Sequence, residues 1–154
     1  MMGVRVMVLR LAVLPLAFLP LMLAEPAPAD PWGAGDLIQP PDLAVRLNDA
    51  RAPKPKIYYV GFGVLYRSKH IPAAEFTGPT SKQEGLEALR AAVLKLPRGQ
   101  EVVIYCGCCP WDHCPNIRPA FLMLRELGFK RVKVLALPAS FLKDWIEKGY
   151  PVAQ

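Results

Sequence analysis

All four cysteines of this 154-residue chain fall within nine positions: Cys106, Cys108, Cys109 and Cys114. A disulfide framework staples segments that are distant in sequence, so its cysteines are spread along the chain. None of these four closes a long loop, and the clustering points to thiol chemistry or to a metal. Cys106 is the candidate nucleophile. A free thiol has a pKa of about 8.5 and is mostly protonated at neutral pH, so it must be shifted to attack well. The loop that Cys106 opens leaves an apolar run and enters a helix. Converging backbone N–H groups and the positive helix end are placed there to favour a thiolate. Arg118 stands near the start of that helix, suited to hold an anionic sulfur donor.

The other three thiols admit several readings. As resolving thiols they take sulfur from Cys106 or pair with it. Cys106-Gly107-Cys108-Cys109-Pro110 contains a Cys-x-x-Cys followed by Pro, a pattern that lowers thiol pKa in redox proteins. As metal ligands they join His113 in a soft sulfur and nitrogen set suited to zinc or copper(I). As a structural feature, one pair forms a local disulfide. A c-type haem site is ruled out, because Pro110 stands where that motif needs His. Asp112 and His113 are a candidate acid–base pair. Trp111 is suited to cover the loop or to pack as core. Asn116 reads as a helix cap, and with Trp111, His113 and Arg118 it completes the candidate substrate-binding set.

The elements that must position this loop follow from the apolar pattern. Residues 102–105 are four β-formers without polar alternation, which indicates a strand buried on both faces of a parallel sheet. Further strands are expected at 37–38, 57–60 and 132–137. Helices are expected at 40–48, 84–96, 119–127 and 141–148, with Gly128 as a C-terminal stop. Alternation of this kind gives an α/β fold with a parallel sheet covered by helices. Ligands of such sheets bind beyond the carboxyl ends of the strands. The cysteine cluster begins where the best strand ends.

Residues 1–10 carry Arg5 and Arg10 and no acid, and residues 11–24 are all apolar or Pro. A run of that length is short of the roughly 20 residues that span a bilayer. It reads as a signal peptide, with Ala27-Pro28-Ala29 as the cleavage site, a cut after Ala24 as the alternative, and 30–36 as a flexible leader. That predicts an exported protein, periplasmic or extracellular, with no stable membrane span after cleavage. The chain holds 19 basic and 13 acidic residues, a net charge of +6. Losing Arg5, Arg10 and Glu25 leaves +5, scattered without a basic run. Such a balance suits small anions and gives no reason to expect a nucleic-acid partner.

Three stretches resemble the rhodanese-like family over 37–152. Tyr66-Arg67-Ser68-Lys69-His70-Ile71-Pro72-Ala73-Ala74 is similar to its Tyr-x-x-Gly-His-Ile-Pro-Gly-Ala stretch. Val102-Val103-Ile104-Tyr105-Cys106 is similar to the strand ending in its nucleophile. Gly128-Phe129, Trp145 and Gly149-Tyr150-Pro151-Val152 follow its C-terminal signature in order. The resemblance implies a single domain over 37–154, with a central parallel sheet of about five strands and helices on both faces. It implies a sulfurtransferase or sulfane-sulfur carrier that forms a persulfide on Cys106. A small sulfur-containing anion or a thiol acceptor would be its partner, with no cofactor required. The alternatives from another class are a thiol-disulfide oxidoreductase and a non-enzymatic metal or redox-sensing module. The chain also departs from the pattern. Tyr59-Val60-Gly61 stands where the family has Asp-Val-Arg. Pro138-Ala139-Ser140 stands where a Gly-Gly precedes the last helix. Counting back from Gly128, the family's loop Arg falls on Asn116, ten residues after Cys106 where the family has five.

Overall fold

The computed structural model describes Gly3 and residues 30–154. The expected signal peptide lies outside the described residues. Five parallel strands form one sheet: β1 (Leu37–Ile38), β2 (Lys56–Tyr59), β3 (Ala74–Phe76), β4 (Val102–Tyr105) and β5 (Val132–Leu135), in the order β1-β5-β4-β2-β3. β4 is central, paired with β2 and β5. Its four side chains are fully buried, as the unbroken apolar run requires.

Period-two alternation divides the strand residues between two cores. Tyr58, Val60, Val102, Ile104, Val132 and Val134 pack against α3 (Gln83–Val93) and α4 (Ile117–Glu126). Ile57, Tyr59, Val103, Tyr105 and Leu135 face α1 (Pro40–Asn48) and the C-terminal segment that carries Phe141 and Trp145. Helices therefore cover both faces, and the α/β expectation holds. Among the described residues no helix is long and apolar enough to cross a membrane.

Several local expectations are corrected. The strand β3 and the short helix α2 (Gly63–Ser68) were not expected. β3 is an edge strand of three residues, Ala-Glu-Phe, and only its register with β2 makes it one. α4 starts at Ile117 rather than at 119, which places Pro119 in its first turn, where a missing N–H costs nothing. The last helix is a run of wide turns over Leu142–Ile146, with Glu147 N–H bonding the Leu142 carbonyl. Within 30–36, expected as a flexible leader, one side chain packs on the fold. Ala34–Asp36 form a tight turn, and Trp32 is buried against Trp111 and Phe121 with ring centroids 5.5 and 5.7 Å away.

Ala73 stands at a glycine position of the pattern described above, and its φ is +62°. The turn before β3 thus keeps a left-handed backbone without the residue that adopts it most readily. His70 anchors this turn. Its Nδ1 lies 2.9 Å from the Tyr66 carbonyl, and its backbone pairs with Ala153 in both directions.

Candidate functional site

β4 ends at Tyr105, and the chain then turns out of the sheet at Cys106. The Cys106 side chain stays inside, 2 % exposed. Its sulfur is surrounded by donors. Cys108 Sγ lies 3.5 Å away, and Asn116 Nδ2 donates from 3.6 Å. Cys114 is also buried, its sulfur within 4.8 Å of Cys106 Sγ, and its thiol proton acts on that sulfur. That donation, first of all, draws the Cys106 thiol down to about 6. Burial opposes it, while the Cys108 backbone N–H, the Cys108 thiol and the Asn116 amide assist. The partners move the other way. Cys114 is raised because it holds its proton for Cys106. Cys108 is pushed up to about 12 by partial burial and by the sulfurs of Cys109 and Cys106. One thiolate among proton-bearing thiols is the charge state this arrangement favours.

Asn116 does not cap α4 with its side chain, contrary to expectation. The side chain spans two segments instead. Its Oδ1 accepts from the Ser81 N–H at 3.0 Å, which turns the Nδ2 toward Cys106. The Thr80 hydroxyl donates to the Asn116 carbonyl. The loop that carries Thr80 comes this close because α3 presents Gly85 to it. A Cβ there would lie 2.3 Å from the Pro79 carbonyl oxygen. This buried residue occupies the position counted as the family's loop Arg, so an amide replaces a cation beside the sulfur.

Two residues that the sequence reading left out of the site belong beside it. Gly61 has no room for a side chain. A Cβ there would meet Cys106 Sγ at 2.8 Å and Tyr59 Oη at 2.9 Å. Tyr59 is 1 % exposed, and its Oη has no hydrogen-bond partner of normal geometry. Burial raises its pKa first, then the facing Cys106 and Cys108 sulfurs, with the Gly107 N–H acting weakly in the opposite sense. The signal for both was the stretch Tyr59-Val60-Gly61, set aside only as a departure from Asp-Val-Arg. The Tyr59 ring also walls a cavity of about 170 Å³, shared with Gly107, Phe141, Leu65 and Lys69.

The remaining predicted residues divide. The four cysteine sulfurs all lie within 4.8 Å of one another. Tetrahedral zinc with Zn–S bonds of about 2.3 Å needs sulfurs about 3.8 Å apart, so a small adjustment would let the four hold a soft metal. His113 does not join them. It is exposed and pairs with Asp112 at 2.9 Å, forming an acid–base pair open to solvent. Trp111 is half-buried, its ring tilted at 57° against Trp32, and its backbone N–H bonds the Leu137 carbonyl. Arg118 sits in the first turn of α4, half-exposed, with Asp30 at 3.7 Å.

No family model matches the chain, and no curated protein does. Solved structures do. A thiosulfate sulfurtransferase from Pseudomonas aeruginosa superposes with a TM-score of 0.58 at 23 % identity, over 85 % of this chain and 21 % of that one. A protein from Anabaena superposes with a TM-score of 0.57 at 22 % identity, over 75 % of this chain and 90 % of that one. The rhodanese-like domain of an Anabaena protein, solved in solution, gives 0.55 at 22 %, over 77 % and 78 %. The chain has the rhodanese-like fold.

Proposed function

We propose that this protein is a sulfane-sulfur transferase or carrier with Cys106 as the sulfur-bearing residue. The observation that carries the reading is the Cys106 sulfur itself. It ends the central strand and receives donors from Cys114, Cys108 and Asn116, and its thiol is lowered to about 6. With thiosulfate as donor, the thiolate attacks the outer sulfur. The bond between that sulfur and the sulfonate breaks, and sulfite leaves with the electron pair. Cys106 then carries a persulfide anion. An acceptor thiolate attacks the outer sulfur in turn and returns Cys106 to a thiolate, which completes covalent catalysis in two displacements. Cys106 is nearly closed to solvent, whereas Cys108 is exposed and 3.5 Å away. Export through the apolar segment 11–24 belongs to the same proposal, and the N-terminal sequence of protein recovered from a periplasmic or culture fraction tests it.

A second reading rests on the mutual approach of the four sulfurs within 4.8 Å: a zinc or copper(I) site. One experiment separates the two. Native intact mass and peptide mapping follow anaerobic incubation with thiosulfate, polysulfide or a low-molecular-weight persulfide. The proposal expects a gain of one sulfur on the peptide bearing Cys106, lost in Cys106→Ser. Full sulfur transfer by Cys106→Ser would overturn the assignment. A tightly held metal ion with no sulfur uptake would favour the second reading.

A further inference from the structure

Tyr59 Oη and the loaded state of Cys106 belong together. The inference rests on the sulfur-transfer reading and deepens it. In the unloaded protein the charge of the thiolate lies on Cys106 Sγ, and Asn116 Nδ2 with the Cys114 and Cys108 thiols already serve that atom. Loading moves the charge. The Cys106 thiolate attacks the sulfane sulfur of a thiosulfate-type donor, the donor's S–S bond breaks, and its sulfite departs with the bonding pair. The negative charge now sits on the outer sulfur, about 2 Å beyond Sγ. The donors that served Sγ are no longer centred on the charge.

One buried hydroxyl is left over. The Tyr59 hydroxyl makes no hydrogen bond of normal geometry and finds no acceptor, and it is buried at 1 % residue exposure. A buried hydroxyl without an acceptor costs about 1–3 kcal/mol. Only two buried side-chain polar atoms among the described residues lack a partner, and the other, Trp32 Nε1, belongs to an indole packed at a tilt against Trp111. The Tyr59 ring is held in place by Tyr105, Tyr66 and Phe76. Gly61 and Gly107 leave it room on two sides. At Gly61 a Cβ would lie 2.9 Å from Oη and 2.8 Å from Cys106 Sγ, and at Gly107 a Cβ would lie 3.5 Å from Oη. A hydroxyl fixed beside the sulfur, and idle until charge moves outward, fits a group that binds the product of loading better than the free thiolate.

We propose that Tyr59 donates its hydroxyl hydrogen bond to the outer sulfur of the Cys106 persulfide and so sets how much sulfur the protein holds. Tyr59→Phe removes that hydroxyl alone. Wild type and variant are brought to equilibrium with thiosulfate and sulfite at several fixed ratios, and the loaded fraction of Cys106 is read by peptide mapping. Losing one hydrogen bond to a charged group lowers the loaded-to-free ratio about tenfold or more. The rate of Cys106 alkylation in the unloaded variant stays within about twofold of wild type, because Oη does not serve the free thiolate. The melting temperature is unchanged or higher, because an unsatisfied group has left the core. An equal loaded fraction in the two proteins overturns the role of Tyr59 and leaves sulfur transfer standing. Wild type that takes up no sulfur overturns both. A measurement on wild type alone guards against a misfolded variant: the carbon-13 resonance of Tyr59 Cζ shifts when Cys106 is loaded, and a resonance that does not move overturns the role.

Discussion

The Cys106 sulfur meets two opposed demands. Burial favours the neutral thiol, and a set of short-range donors favours the thiolate. Donation prevails and brings the thiol to about 6. The sign of the pH dependence follows. Below about 6 the group is a thiol and a poor nucleophile, and above it the thiolate dominates. Cys106 alkylation, followed at its own peptide, therefore rises through about pH 6 and levels off before neutrality, where an ordinary cysteine would still be climbing toward about 8.5. Asn116→Ala removes one donor and the tether to Ser81, so its midpoint moves upward. A midpoint that stays in place in the variant would show that Cys114 and Cys108 suffice. The position of Cys106, at the carboxyl end of the central strand, was legible because strand topology alone gives it. The true task of Asn116 was not. Its sequence neighbours argue for a helix cap, and its side chain is instead claimed by Ser81, 35 residues away.

At the scale of elements, the strongly periodic pieces were legible and the short ones were not. β4 announces itself by four buried β-formers, and α3 and α4 by apolar stripes. β3 has one buried residue out of three, and α2 has none, so neither leaves an apolar period to read. The turn between them holds Ala73 at φ +62°, a conformation that costs an L residue about 1–2 kcal/mol. Ala73→Gly relieves that strain at some cost in unfolded-chain entropy. Chemical denaturation should show the variant more stable by up to about 1 kcal/mol with an unchanged slope. A loss of stability would mean that the Ala73 methyl packs more favourably than its backbone is strained.

Across the whole molecule, the site is assembled from segments that converge only once the sheet is built. Cys106 comes from the turn just after β4, Tyr59 from the end of β2, Ser81 from the loop before α3, and Asn116 from the threshold of α4. Parallel topology puts the candidate site at the carboxyl end of the central strand, and that much is legible in the sequence. Tyr59 is not, because its room depends on two glycines more than forty positions apart in the chain, Gly61 and Gly107. Residues 30–36 read as a flexible leader because Pro, Ala and Gly dominate 25–36. The one bulky residue there, Trp32, is what ties it down.

That tie gives the protein an optical signature. Trp32 and Trp111 have ring centroids 5.5 Å apart with planes inclined by 57°, a separation at which two indole transitions mix and rotate light as a pair. The circular dichroism of the folded protein should contain a paired positive and negative band in the indole absorption, and Trp32→Phe or Trp111→Phe should abolish it alike. If either variant keeps the paired band, the two rings are not coupled in solution. Because Trp111 rides on the thiol loop and Trp32 does not, the amplitude of this band reads the position of the loop without a label. Any event at the thiols that moves the loop can be followed by it in real time.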